Sequence, residues 1–146
     1  MPSYDVTDKA IIEAPPERVF RALLDEYAGV THWWTQVDST PVGDVPFDQV
    51  GATCRVTVRN HGAAHFTWQT IEVVENRLMR FEYVDGDIVG HGDLTLDPAG
   101  DGTRIAYRWR VRTRGLASIL GPLLGISRRH SEVIRAGFRA LEEFTA

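Results

Sequence analysis

The chain has 146 residues, 43% of them hydrophobic and 25% charged, with a formal net charge of −4; this describes one globular domain, residues 1–146, long enough to bury roughly 70% of its unfolded surface without staples. The acidic balance argues against nucleic acid or an anionic membrane as the main partner, and the lone cysteine, Cys54, excludes an internal disulfide and fits a reducing compartment. No apolar run approaches the ~18 residues of a membrane span, and Met1-Pro-Ser-Tyr-Asp5 lacks the basic flank and apolar stretch of a secretion signal, so a cytoplasmic location is expected.

Residues 4–13 read as a strand ended by Ala14-Pro15-Pro16, whose prolines cannot donate to a ladder. Pro16 suits the first turn of a helix in which Val19, Phe20, Leu23 and Leu24 form an apolar stripe, and Tyr27-Ala-Gly29 breaks it. A short second helix is expected over Val30-Thr-His-Trp-Trp34, where two indoles need burial. From Val37 to Thr113 the pattern is that of about six strands. Residues 51–59 alternate, with Cys54, Val56 and Val58 on one face. Asn60-His-Gly62 is a turn candidate, and strands follow over 65–74, 77–84 and 88–96, separated by Glu75-Asn76 and Asp85-Gly86-Asp87. The strand 65–74 has apolar residues of both parities, which predicts a bulge or twist. The last strand, 103–113, places Ile105, Tyr107, Trp109 and Val111 inside and Arg104, Arg108, Arg110 and Arg112 outside.

The C-terminal stretch divides in two. Gly115 to Gly125 is too rich in glycine for a good helix and too apolar for a free loop, which suggests a lid or wall. Beyond it an amphipathic helix carries Ile134, Phe138 and Leu141 on one face, with His130 on or beside that face at the end nearest the lid. Arg128-Arg129 sit at the unfavourable end of its dipole, either solvated or facing a ligand carboxylate or a partner.

A sheet with one apolar face must cover it, and this helix alone is long enough. The order of elements is α+β: a curved antiparallel sheet of about seven strands around a long C-terminal helix, with two short helices after strand 1. The opening Ile12-Glu-Ala-Pro-Pro-Glu-Arg-Val-Phe-Arg-Ala-Leu-Leu-Asp25, the Trp33-Trp34 pair, the Asp101-Gly-Thr-Arg104 turn and the Gly115-to-Phe144 ending resemble the START / Bet v 1-like (SRPBCC) superfamily, and within it the polyketide cyclase/dehydrase-like group. That resemblance implies a helix-grip fold with a hydrophobic cavity for a lipid, polyketide, sterol or hormone-like ligand. It implies no particular reaction.

Read for a cavity, the sequence nominates Trp34, Trp68, Phe81, Tyr83, Gly90, Gly92, Leu94, Tyr107, Trp109, His130, Ile134 and Phe138 as lining. Gly90 and Gly92 on the inward face mean either a strand bend, glycines covered by a neighbouring aromatic, or room for ligand. Glu72 is a buried acid or base if its strand keeps the parity of Trp68, and a surface residue otherwise. His61 and His65 lie at a turn and a strand start, His91 and Asp93 lack a third ligand nearby, and His32 reads as a surface residue, so no metal and no cofactor is expected. No nucleophile elbow, phosphate loop or dinucleotide fingerprint appears.

Two functions of different class remain. One is a binding protein for a hydrophobic small molecule, acting as a monomer or weak homodimer. The other, which the resemblance suggests, is a polyketide cyclase/dehydrase-type enzyme with His130 as base and Tyr107 or Tyr83 as hydrogen-bond donor. A third, a chaperone-activator-like interaction module, is disfavoured by the arginine-rich outer face of the last strand.

Overall fold

The computed structural model describes residues 3–59, 65–86, 88–115 and 125–146. The elements follow as β1 (Ser3–Ile12), α1 (Pro16–Tyr27), β2 (Val37–Val42), β3 (Thr53–Val58), β4 (His65–Val74), β5 (Leu78–Gly86), β6 (Ile88–Ala99), β7 (Gly102–Thr113) and α2 (Ile126–Thr145). The strands make one antiparallel sheet of seven in the order β1-β7-β6-β5-β4-β3-β2. β1 returns to pair with β7 along its whole length, from Ser3↔Arg112 to Ile12↔Thr103. The expected alternation of β7 holds throughout, with Ile105, Tyr107, Trp109 and Val111 buried and the four arginines between and beside them exposed. In register, Tyr107 lies between Asp8 of β1 and Leu94 of β6, and Trp109 lies between Val6 and Gly92.

The pairing of β4 with β5 slips twice, between Thr67 and Trp68 and between Thr70 and Glu72. Thr67 pairs with Asp85 but Trp68 with Tyr83, which leaves Val84 as an extra residue on β5. Thr70 pairs with Phe81 and Glu72 with Arg80, which leaves Ile71 as an extra residue on β4. This second slip turns Glu72 outward, where its carboxylate accepts a 2.6 Å hydrogen bond from Arg80. The buried-carboxylate alternative for Glu72 is thereby set aside.

Over the inner face lies α2, 20 residues long, burying Val133, Ile134, Phe138 and Leu141. Its position is fixed by polar contacts as well as by grease. The Asp8 side chain on β1 is 1% exposed; it accepts hydrogen bonds from Ser131 Oγ at 2.9 Å and Arg135 Nε at 3.1 Å. Ser131 and Arg135 are four apart and so share one side of the helix.

The second short helix expected over Val30–Trp34 does not form. Residues 31–34 carry no regular structure, because the buried Glu26 carboxylate of α1 captures the donors a helix would need. It accepts from Thr31 Oγ1 at 2.8 Å and from the backbone N–H groups of Trp33 and Trp34, both at 3.0 Å. So held, the two indoles stack on one another, 6.2 Å apart and 6° from parallel. Trp33 donates to Ala22 O of α1 and Trp34 donates to Val133 O of α2, which ties the two helices together. The turn at 60–62, most of the proposed lid, His61 and Asp87 lie outside the described residues.

Gly137 is the notch that receives Trp34. A Cβ at this position would stand 2.5 Å from the indole Cε2. Gly137→Ala gains up to about 1 kcal/mol of helix propensity, but overpacking costs about 1–3 kcal/mol and displacing the indole removes a hydrogen bond worth about 1 kcal/mol more. The clash wins, and chemical denaturation of the variant should show a net loss of about 1–3 kcal/mol.

Candidate functional site

Four of the residues singled out from the sequence meet under the first turns of α2. Alternation points Tyr83 of β5 and Tyr107 of β7 to the same face, and their hydroxyls are 2.8 Å apart. His130 lies flat on Trp109, ring centroids 3.9 Å apart and planes within 10°, with the Tyr107 ring 5.7 Å away. The gap between the two tyrosines is closed from β6. At Gly92 a Cβ would stand 2.2 Å from the Tyr107 hydroxyl oxygen, so the missing side chain is room for the phenol rather than for ligand. Gly90 has φ +139° and a would-be Cβ 2.2 Å from Arg110 O; it is a strand bend with no space above it. The reading of both glycines as ligand space is corrected accordingly.

Burial keeps this group of side chains uncharged. His130 is half-buried as a residue, yet its Nδ1 is enclosed and without a hydrogen-bond partner, and burial lowers its pKa to about 3. Burial likewise pushes the Tyr83 phenol up to about 12, partly offset by the Tyr107 hydrogen bond and by the Trp109 N–H. That N–H is directed toward Tyr83 without completing a hydrogen bond. Tyr107 is held well above the ordinary phenol range, by burial first and then by its neighbour Tyr83. Near neutral pH all of these groups are therefore hydrogen-bonding groups without charge.

Their hydrogen bonding is incomplete. Among the described residues, the buried side-chain atoms with no partner include Tyr4 Oη, Trp109 Nε1, Thr113 Oγ1 and His130 Nδ1. Tyr4 stacks on Trp109 at 6.0 Å, and Thr113 continues the same face of β7. The unsatisfied groups thus gather where β1 starts, β7 ends and α2 begins. Gln36 Oε1 and Thr70 Oγ1 are also unpartnered but belong to other elements.

The remaining nominated residues are placed as follows. Trp68 pairs in register with Tyr83 but spends its ring on Phe81, Tyr27 and Phe47, with centroids at 4.1, 5.0 and 5.7 Å. Trp34 is seated on α2. Leu94 is buried beside Tyr107, and Ile134 and Phe138 are buried one and two turns beyond His130 on its side of the helix. A separate depression of about 330 Å³ between α1 and residues 41–48 is lined by Arg21, Asp25, Asp44 and Phe47 among others and shares no residue with this group. Among the described residues no three His, Cys, Asp or Glu side chains converge as metal ligands. Asp93, which shares a strand face with His91, is held instead by Arg80 and Arg110 at 2.8 and 2.9 Å.

Sequence reasoning missed Tyr4, Asp8, Glu26 and Gly137. A signal existed for the first two, since alternation along β1 puts Tyr4, Val6, Asp8, Ala10 and Ile12 on one face. Nothing in the local sequence marks Gly137, because the indole it receives comes from a hundred residues away.

A curved antiparallel sheet gripping one long C-terminal helix is the helix-grip architecture of the Bet v 1-like SRPBCC superfamily. The chain belongs to the family described as polyketide cyclase / dehydrase and lipid transport, whose model matches residues 3–143. A comparison with curated proteins gives no match. Among solved structures, TTHA0849 from Thermus thermophilus is 22% identical with a TM-score of 0.73, covering 96% of this chain and 95% of its own. Ara h 8.0201 is 13% identical with a TM-score of 0.67, covering 99% and 98%. Norcoclaurine synthase from Thalictrum flavum, solved with dopamine and hydroxybenzaldehyde, is 12% identical with a TM-score of 0.69, covering 98% and 86%. At these identities the likeness is one of fold.

The depressed pKa of His130 makes stability depend on pH. The unfolded chain takes up a proton near the ordinary value of 6.5 while the folded one refuses it down to about 3, so the contribution is complete above pH 6.5 and is lost as pH falls from there toward 3. At about 1.4 kcal/mol per pH unit, denaturation at pH 7 and 4.5 should show the native sequence losing about 2–3 kcal/mol more than His130→Phe.

Proposed function

We propose that this protein binds a hydrophobic small molecule, a lipid, polyketide or aromatic compound, between the sheet and α2. In this reading Tyr83, Tyr107, Trp109 and His130 form the polar end, and Leu94, Ile134 and Phe138 form the apolar walls. One observation carries the reading: buried hydrogen-bonding atoms of Tyr4, Trp109, Thr113 and His130 lack partners, among aromatic and aliphatic walls where the neighbouring Asp8, Ser131 and Arg135 are already matched to one another. Folded proteins leave few such atoms unsatisfied, and each costs about 1–3 kcal/mol unless something supplies the bond. Apolar walls with a few convergent polar groups are the usual composition of a ligand site. Family membership and fold support the same conclusion.

A cyclase or dehydrase is the second reading, favoured by the Tyr83–Tyr107 pair. Two neutral phenols in surroundings poor in water can polarise a carbonyl oxygen. The difficulty is the base. A general base works best with its pKa near the working pH, and His130, at about 3, has little tendency to take a proton from carbon. Binding without turnover is the better account of these groups as they stand.

Native mass spectrometry and tryptophan fluorescence with flavone, decanoate and anthraquinone test the reading; a protein that takes up none of them has a plain core and no ligand. Tyr107→Phe removes one donor, which at about 1–1.5 kcal/mol weakens an oxygenated ligand five- to tenfold. His130→Ala separates the two readings, because loss of turnover with binding kept marks the enzyme, whereas weakened binding in a protein that turns over none of these compounds marks the carrier.

A further inference from the structure

We propose that the ligand enters as an uncharged molecule bearing an oxygen acceptor, a ketone, quinone or phenol, and that carboxylates and amines are rejected. This rests on the binding reading above and concerns what that site accepts. All 16 lysines and arginines fall within the described residues and none is buried. Only Arg80 and Arg129 are even half-buried, and Arg80 is spent on Glu72 and Asp93 at the outer face. Arg135 reaches the inner face but is spent on Asp8, so an anion there would find no buried cation to pair with and only the half-buried Arg129 at the start of α2 left to approach; an unpaired buried charge is strongly disfavoured. Cations fare no better. Among the described residues the buried carboxylates are Asp8 and Glu26, and both are taken, by Ser131 and Arg135 in one case and by Thr31, Trp33 and Trp34 in the other.

The unpartnered groups then specify the polarity of the ligand. Trp109 Nε1 can only donate. Of the two protons on the Tyr83–Tyr107 pair one is consumed between the hydroxyls, and the other is free to donate. Tyr4 and Thr113 each bring a further hydroxyl proton, and a neutral His130 can carry its proton on Nδ1 or accept a hydrogen bond there. Donors therefore outnumber dedicated acceptors, which calls for oxygen on the ligand. A carbonyl answers with two lone pairs, and a phenol answers with lone pairs and can donate a hydrogen bond to His130 Nδ1.

Three molecules of one ring system isolate the effect: 2-acetonaphthone, 2-naphthoate and naphthalene, titrated at pH 8 by tryptophan fluorescence. The ketone is expected to bind at least tenfold more tightly than either of the others, and Tyr107→Phe is expected to bring its preference over naphthalene down five- to tenfold. Naphthoate binding as tightly as the ketone overturns the charge rule alone, most directly if Arg129→Gln abolishes it. Naphthalene binding as tightly as the ketone overturns the acceptor requirement. If none of the three binds, the binding reading itself falls, and this proposal falls with it.

Discussion

Asp8 decides where the C-terminal helix can lie. Its carboxylate sits in the middle of an otherwise apolar strand face, and taking such a group out of water costs several kcal/mol unless it is matched. The matching donors, Ser131 and Arg135, are on α2. Charge-assisted hydrogen bonds return about 1.5–3 kcal/mol each, so the net gain is small, but the choice of position is sharp. Sliding or rotating the helix by one residue would leave a buried carboxylate alone, at about 3–5 kcal/mol. Because His130 precedes Ser131, the contact that satisfies Asp8 also sets the imidazole over Trp109. Packing of Ile134, Phe138 and Leu141 supplies the larger energy, yet grease alone would accept several registers.

The same separation of tasks runs through the sheet. Its outer face holds opposite charges in contact, Arg108 with Asp5 and Arg80 and Arg110 with Asp93, where water screens them and each pair contributes little. Its inner face, the matched Asp8 carboxylate aside, holds hydroxyls, an indole N–H and an imidazole, none ionised near neutral pH. Charge outside keeps that surface hydrated, and uncharged polarity around Tyr83, Tyr107, Trp109 and His130 gives direction without the cost of burying a further ion. Alternation along β7, arginine then aromatic, is the sequence device that keeps the two apart.

Much of this was legible in the sequence because strand alternation is a local code. The inward set Phe81, Tyr83, Leu94, Tyr107 and Trp109 followed from parity alone, and the amphipathic spacing of Ile134, Phe138 and Leu141 placed the covering helix with His130 at its inner edge. The changed facing of the strand at 65–74 could be anticipated from its mixed parity, but not where it would slip. What could not be read was whatever depends on two distant segments meeting. Val30–Trp34 looked helical because two indoles needed burial; a buried Glu26 on the preceding helix captured its N–H groups instead. Gly92 left a bend, a covering aromatic and room for ligand all open, because the phenol that fills the space belongs to another strand. Gly137 gave no sign at all, since its purpose is Trp34.

The two slips between β4 and β5 act on one another like a frameshift and its suppressor. The extra residue Val84 on β5 moves the pairing by one, and the extra residue Ile71 on β4 moves it back, so that Phe66↔Gly86 at one end and Val73↔Met79 at the other obey the same register. Within β4 the phase changes once: Phe66, Trp68 and Thr70 face the core, and beyond Ile71 it is Val73 that packs inward while Glu72 meets Arg80 outside. Length changes here are consequently not equivalent to loop indels. Losing Ile71 would straighten the strand and leave Glu72 and Val73 facing as they do now, whereas straightening it with Ile71 kept would aim the Glu72 carboxylate at the core and Val73 at water. The middle of the chain thus carries a reading frame in three dimensions, and its tolerance for length change is set by parity rather than by exposure.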